Sequence, residues 1–530
     1  MIENVPALLV VVPILAATLP LFVGLRYEDA GWTIAALTTT ALFALSVWLA
    51  VEVFTAGEMV IHQLGGFDRP VGIELVADRL SVPFLVLVTA ISAGVLAYTR
   101  RGGPRGNSFY SAYLLLVGGL AGLSLTGDVF NMFVFLEIVG LTTYALIAKG
   151  KSGEAAIAAL KYLIIGTVGA SLYLVGVGFL FVATGTLNMI DLATAIPERA
   201  GYGDPLILSA FAFIFVGFAI KIALFPLHTW QPDAYQRAPD GVTPMISALV
   251  STVSAYALFR LTYSVFTVEF LLATPYATEI VVTLGSLSVL AGSVLAVMQR
   301  EVKRMLAYSS VSQFGLVVLA YGLLNDTALV GALIHLFGHA IMKGGLFLGV
   351  GVVAAGVGAR TVDEYGGLAK RMPFAAGALA VLGIALVGVP PSVGFVGKWF
   401  IAVGAVEAGA WPVAVVIFLS TMLTLAYVAR LLEKMYFTPV ADRPTPGAVA
   451  TDGGEQPEGW RAESDGTAGK AERDPGPTEP RDLGAIAPDA VSRGMLWMTI
   501  IAALLSVALG FAGGAFDSLL TPFIEEVLNG

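Results

Sequence analysis

Glu137, Lys221, His335, His339, Lys343 and Lys398 are titratable side chains set inside long apolar runs, and in series they could hand protons from one to the next. Glu137 falls in VFNMFVFLEIVGLTTYALI (residues 129–147), and Lys221 in AFAFIFVGFAIKIALF (residues 210–225), just ahead of Pro226. An ionisable group at bilayer depth costs roughly 2.5–3.5 kcal/mol on insertion scales. A set of them therefore implies a buried polar path. A carboxylate near a buried lysine holds it protonated, and withdrawing the carboxylate leaves desolvation to expel the proton. Glu137 and Lys221 read as such a switch; the competing reading of Glu137 is a protonated side chain at an interface or a cap on a neighbouring helix.

His335, His339 and Lys343 recur at i, i+4 and i+8 in HLFGHAIMKGGLF and so share one stripe of a helix. Histidine titrates near physiological pH, which suits a relay. No metal centre is expected, because cysteine is absent and no acidic residue stands at matching helical spacing. Lys398, in PPSVGFVGKWF, reads as the exit-side group, against the plainer reading of a lysine snorkelling to the interface. His228 and Asp233, in PLHTWQPDAY, have two open readings: a cytoplasmic proton inlet, or caps on helix ends. Asp128 is expected to favour the N-terminus of the helix it starts. Lys303 and Arg304, in QREVKRMLAYSS, are expected to be loop residues that orient and cap.

Positioning these groups requires membrane helices. Of 530 residues, 57% are hydrophobic and 13% charged, against about 25% charged in soluble domains; mean hydropathy is +0.84. The expected fold is an all-α polytopic membrane protein of about 14 transmembrane helices. The spans are placed at residues 5–25, 32–54, 75–98, 111–126, 129–148, 157–184, 206–225, 242–265, 276–299, 306–324, 328–357, 374–406, 412–437 and 494–516. This leaves no room for a soluble catalytic domain. The lack of cysteine excludes disulfides and thiolate ligation, so any redox chemistry belongs to a partner, and no cofactor is expected. The net charge of −9 is no nucleic-acid signature. The first span lacks a basic leader and a small-residue cleavage site and reads as a retained helix.

Lysine and arginine sort to alternate loops: Arg26, Arg100, Arg101, Arg105, Lys149, Lys151, Arg237, Arg300, Lys303, Arg304, Arg360, Lys370, Arg371, Arg430 and Lys434 fall on one face, while the other holds little beyond Arg69 and Arg199. The basic face is expected to be cytoplasmic, with both termini outside. Proline interrupts two spans: Pro226 after Lys221, and Pro390–Pro391 before Lys398. Such breaks survive in a bilayer where protein or a hydrated cavity satisfies the freed backbone groups, and paired breaks mark inverted-repeat transporters. The expected division is a three-span segment (1–110), repeats at 111–265 and 276–437, a disordered acidic cytoplasmic linker (438–493), and a last span with its tail (494–530).

The stretches GDVFNMFVFLEIVGLTTYAL, ALKYLIIGTVGASLYLVGVGFLFVATGTLNM, GFAIKIALFPLHTWQPDAY, VKRMLAYSSVSQFG, HLFGHAIMKGGLFLG and PPSVGFVGKW occur in that order between about residues 110 and 405. Together they resemble the antiporter-like subunits shared by Mrp-type cation/proton antiporters, complex I and membrane-bound hydrogenases, with MrpD the most similar in form. The resemblance implies 14 spans, two inverted five-helix repeats with broken helices in spans 7 and 12, and a hydrated central axis. It places the family's Glu–Lys pair on Glu137 and Lys221, the relay of the eleventh span on His335, His339 and Lys343, and the broken-helix lysine on Lys398. About 15 residues follow the last span, so the long lateral helix of the largest homologues is not expected.

One departure stands out. Family members read like TKVGVY in the eighth span, with Lys or His second, whereas this chain has Ser251-Thr252-Val253-Ser254-Ala255-Tyr256. Thr252 carries no proton as a cation, so hydroxyls and water must bridge there, or the half-channel is altered. The implied function is proton translocation within a hetero-oligomeric Na⁺/H⁺ or K⁺/H⁺ antiporter of a prokaryotic plasma membrane, a transporter component and not an enzyme. The alternatives are a proton-pumping component of a complex I-like oxidoreductase or hydrogenase, and a non-transporting scaffold. The partners implied are the other subunits, H⁺, Na⁺ or K⁺ and the bilayer, without nucleic acid.

Overall fold

The computed structural model describes residues 2–27, 30–150, 152–439 and 491–529. Most of the expected linker, residues 440–490, and Lys151 lie outside the described residues. In chain order the main helices are α1 (Ile2–Gly24), α2 (Ala30–Ala56), α3 (Ser81–Thr99), α4 (Asn107–Leu125), α5 (Val129–Ala148), α6 (Gly153–Thr184), α7 (Pro205–Lys221), α8 (Trp230–Arg237), α9 (Thr243–Ala273) and α10 (Ala277–Val297). They continue with α11 (Val302–Tyr321), α12 (Asp326–Val357), α13 (Pro373–Val387), α14 (Val393–Glu407), α15 (Trp411–Phe437), α16 (Arg493–Phe511) and α17 (Gly513–Asn529). Among the described residues, eleven helices are long and apolar enough to cross a membrane. The other three of the fourteen expected spans are α7 with α8, the more polar α11, and α13 with α14.

Two runs of five spans, α4–α9 and α10–α15, have matching lengths. Their second helices have 20 residues each and their third helices 32 each, and in both the fourth span is broken. Each run also carries one isolated antiparallel bridge between the loop before its second helix and the loop after its third, Asp128 with Asn188 and Glu301 with Thr361. Five crossings per run is an odd number, so the second run threads the membrane in the opposite sense.

Lipid tails offer no hydrophobic drive for helix association, so close contact depends on small residues. Gly217 of α7 and Gly285 of α10 serve this purpose: a Cβ on Gly217 would lie 2.7 Å from the Gly169 carbonyl oxygen, and one on Gly285 would lie 2.6 Å from the Leu319 nitrogen. The most apolar stretch of α9 is wholly enclosed by protein and that of α12 is 89% enclosed, against 22% for α16. A helix apolar on all sides belongs in the interior, so α9 and α12 form the central axis and α16 faces lipid.

Three elements differ from the expectations. A hairpin of β1 (Val60–Gln63) and β2 (Glu74–Ala77) pairs Val60 with Ala77 and Gln63 with Glu74; strands of four residues are too short for alternation to register in the sequence. The last span ends at Phe511 and is followed by amphipathic α17, which buries Leu520 and Ile524; Asp517, Glu525 and Glu526 keep its hydropathy below that of a span. Lys303 and Arg304 sit in the first turn of α11 and not in a loop. Lys303 is 5% exposed.

Candidate proton-transfer site

Helix α7 ends at Lys221 because the next residues leave helical geometry. Ala223 takes a left-handed conformation with φ +59°, a region that costs a non-glycine residue about 1–2 kcal/mol. Pro226 then brings no N–H. The freed groups are satisfied locally: the Leu224 N–H donates to the Ala219 carbonyl at 2.8 Å, and the Phe225 N–H to Ser288 Oγ of α10 at 3.1 Å. The second break is built on Gly388, with φ +93°, at the end of α13.

The first break presents Lys221 to α5. Its Nζ lies 3.8 Å from Glu137 Oε1, an ion pair in contact but beyond hydrogen-bond length. Neither atom has a hydrogen-bond partner among the described residues. Gly140 of α5 lies beside the pair: a Cβ there would sit 3.0 Å from the Tyr144 hydroxyl and 3.4 Å from Nζ. The lysine side chain is 5% exposed and the glutamate 25%. Glu137 thus opens toward the outer surface of α5, between the exposed Val134 and Leu141.

At the second site, His335, His339 and Lys343 of α12 are completely buried and face α11. His335 Nε2 pairs with Gln313 Oε1 at 2.9 Å, the Phe314 ring meets the His339 ring edge-on at 4.6 Å, and Lys343 Nζ donates to the Leu306 carbonyl at 2.7 Å and to Ser309 Oγ. Gly397 of α14 presses on His335, since a Cβ there would lie 2.6 Å from His335 Cβ. The adjacent Lys398 is 5% exposed and donates to the Leu386 and Val387 carbonyls at 2.9 and 3.0 Å. It caps the open C-terminus of α13, where a cation is favoured, and does not snorkel.

Asp233 is not a helix-end cap. It lies within α8, held by Lys161 at 2.6 Å and Arg304 at 2.7 Å, which ties α6, α8 and α11 together across the break. His228 is buried against the Phe225 and Tyr308 rings, with Nδ1 unpartnered among the described residues. Asp128 accepts from the Asn131 N–H at 2.7 Å as the N-cap of α5. Thr252 is fully buried and its Oγ1 has no partner among the described residues. The hydroxyl of its neighbour Ser251 lies 3.4 Å from both Gln231 Nε2 and the Tyr235 hydroxyl, and donates to the Lys221 carbonyl at 3.5 Å.

Sequence reasoning missed several of these groups. Ser309 and Gln313 were signalled by the hydroxyl-rich run AYSSVSQ inside a membrane helix. Arg260 was signalled as the one basic residue in residues 242–265; it is 8% exposed on α9 and pairs with Asp78 at 2.5 Å, while Asp78 also accepts from the N–H groups of Leu80 and Ser81 at the start of α3. Gln231 and Tyr235 looked like ordinary helix residues, and only the fold turns them toward Ser251.

The buried polar atoms left unbonded concentrate here. Among the described residues, fourteen buried side-chain N and O atoms lack a hydrogen-bond partner, and nine of them belong to Glu137, Tyr144, Lys221, His228, Gln231, Thr252, His335 and His339. Native proteins satisfy nearly all such atoms with protein or ordered water, so this trail has the chemistry of a hydrated path.

Comparison with known proteins gives the same architecture. The family described as "NADH:quinone oxidoreductase/Mrp antiporter, TM" matches residues 126–424, from the N-cap region of α5 into α15. The chain belongs to this family. Among oxidoreductase/Mrp antiporter relatives, it is 40% identical over 461 residues to the N subunit of the NADH-quinone oxidoreductase of Desulforudis audaxviator, covering 85% of this chain and 89% of that protein. It is 32% identical over 452 residues to the D subunit of the Na⁺/H⁺ antiporter of Bacillus subtilis, covering 84% and 89%. Among solved members of the fold, a chain of the Mrp complex from Dietzia sp. DQ12-45-1b matches with a TM-score of 0.82 at 25% identity over 99% of each chain. The oxidoreductase/Mrp antiporter fold therefore extends through the described residues on either side of 126–424.

Proposed function

We propose that this chain is the proton-conducting component of a multi-subunit antiporter that exchanges Na⁺ or K⁺ for H⁺ in a prokaryotic plasma membrane, with both termini outside. The observation that carries the reading is the Glu137–Lys221 pair: two opposite charges in contact at a helix break, with Glu137 Oε1 and Lys221 Nζ both without a hydrogen-bond partner among the described residues. Movement of Glu137 away from Lys221 releases the lysine proton toward Thr252; His335, His339, Lys343 and Lys398 then carry it through the second run of helices. Residues 111–265 and 276–437 act in this reading as the two half-channels. The exposure of Glu137 between lipid-facing Val134 and Leu141 fits a neighbouring protein of the complex on that face, because a carboxylate toward hydrocarbon is costly.

The 40% identity to a protein named for quinone reduction favours a second reading, a proton pump powered by electron transfer in attached partners. The two differ in energy source. In vesicles carrying the purified intact complex, a Na⁺ or K⁺ gradient alone is expected to drive proton movement, read by a pH-sensitive dye. Proton movement that requires an electron donor and acceptor establishes the pump instead.

Thr252 supplies a prediction of its own. Thr252→Val keeps the shape and removes the hydroxyl. Since that hydroxyl makes no hydrogen bond among the described residues, its loss leaves thermal stability unchanged or slightly raised. Exchange falls about tenfold, equivalent to ~1.4 kcal/mol on the barrier. A variant that exchanges at the native rate takes the Thr252 hydroxyl out of the path.

A further inference from the structure

A second pair of opposite charges lies at the opposite end of α11 from the outer loops. Lys303, in the first turn of α11, is almost fully buried; its Nζ donates to the Ala238 carbonyl at 2.7 Å and to Asp240 Oδ1 at 3.1 Å. Asp240, in the loop between α8 and α9, also meets Arg360 at 3.3 Å, and the Arg360 side chain is 54% exposed. Burial raises the Asp240 carboxyl, but Lys303 and Arg360 outweigh it and hold it below the usual carboxylate range, so it stays ionised as a counter-charge to Lys303. The three residues, with Glu301, line a cavity of about 350 Å³ on the face that carries the basic loops.

The helix that carries Lys303 also holds Lys343. Lys343 donates to Leu306 and Ser309, one and two turns beyond Lys303 on the same helix. Six residues of helix separate Lys303 from Ser309, a rise of about 9 Å along α11. Helix α12 converges on the same place: Gly351, two turns past Lys343, leaves room for both the Tyr98 hydroxyl and Asp240, which a Cβ would meet at 2.2 and 3.2 Å.

We propose that this cavity is a separate proton port for the second run of helices, and that Lys303, held by Asp240, is the proton carrier that loads Lys343. The inference rests on the proton-conducting reading above. In the transfer step, the Lys303 ammonium gives its proton through water to the neutral amine of Lys343. Neutral Lys303 then regains a proton from water in the cavity. Charge is conserved at each step, and Asp240 remains a carboxylate throughout.

The test uses the intact complex in vesicles. Lys303→Arg keeps the charge and the pairing with Asp240 but cannot give up a proton; exchange is expected to fall at least tenfold while the complex assembles and melts as the native one does. Exchange at the native rate makes Lys303 a tether and overturns the proposal. The chain contains no cysteine, which permits a second measurement that does not depend on Lys303→Arg folding. Glu301→Cys is compared with itself before and after reaction with a bulky maleimide, with the parental complex treated in parallel. Exchange that falls several-fold on labelling supports the port, and undiminished exchange in the fully labelled complex overturns it. Glu137→Gln is run alongside. Its loss of exchange with Lys303→Arg fully active removes the port alone, whereas exchange in both removes the proton-conducting reading itself.

Discussion

Cation/proton exchange falls below about one hundredth of the native rate when Lys221 or Glu137 is replaced by alanine in the intact complex, while assembly survives. The magnitude follows from removing either the lysine that takes and gives the proton or the carboxylate that controls it, an effect of roughly 10²–10⁴. Survival of the complex follows from the geometry. Lys221→Ala leaves Glu137 with a quarter of its side chain accessible and able to protonate, and Glu137→Ala leaves a lysine that can become neutral. Neither variant strands a fixed charge in the protein. The measurement pairs a dye assay of exchange with gel filtration of the solubilised complex. Full exchange in both variants would remove the proton path as proposed.

The largest stability effect is expected at Arg260. Arginine cannot shed its proton, so the buried Arg260–Asp78 pair has no neutral state to fall back on. Removing one partner of a buried pair costs about 3–5 kcal/mol. Arg260→Ala lies near the lower end, about 3 kcal/mol, because Asp78 keeps its bonds to the α3 N–H groups and partial access to water. The double variant Arg260→Met with Asp78→Asn recovers most of the loss: asparagine retains the cap, and no charge is left unpaired. Thermal melting of the purified complex reads both. A single variant that melts with the native protein would place the pair in solvent and deny it any structural role.

What could be read without coordinates had strong physical signals. Helix α5 was placed at 129–148 and is found at Val129–Ala148, because an apolar run bounded by Asp128 and Lys149 has sharp chemical edges. The breaks in spans 7 and 12 are legible from Pro226 and Pro390–Pro391, although the helices already end at Lys221 and Val387, where Ala223 and Gly388 turn left-handed. Span ends were less legible where polar residues continue the helix. Thus α11 begins at Val302, not 306, because Lys303 and Arg304 belong to its first turn and find buried partners that hydropathy does not reveal.

The residue types at Glu137, Lys221, His335, His339, Lys343 and Lys398 were enough to establish that charge must be sheltered inside a membrane, since a bilayer admits such groups only at a cost that demands partners. They also settled the helical period that lines up His335, His339 and Lys343. Who meets whom was decided by tertiary packing. Only the packing of α5 and α7 in the folded chain sets Lys221 against Glu137, and only the convergence of α8, α11 and α12 sets Lys303 beside Asp240. Asp233 had two open readings, a proton inlet or a helix-end cap, and only the fold brings cations from α6 and α11 onto it. The physical reason is range: hydropathy and helical period act over a few turns of one chain, whereas ion pairs form between helices that lie scores of residues apart and meet only when small residues let their backbones come close.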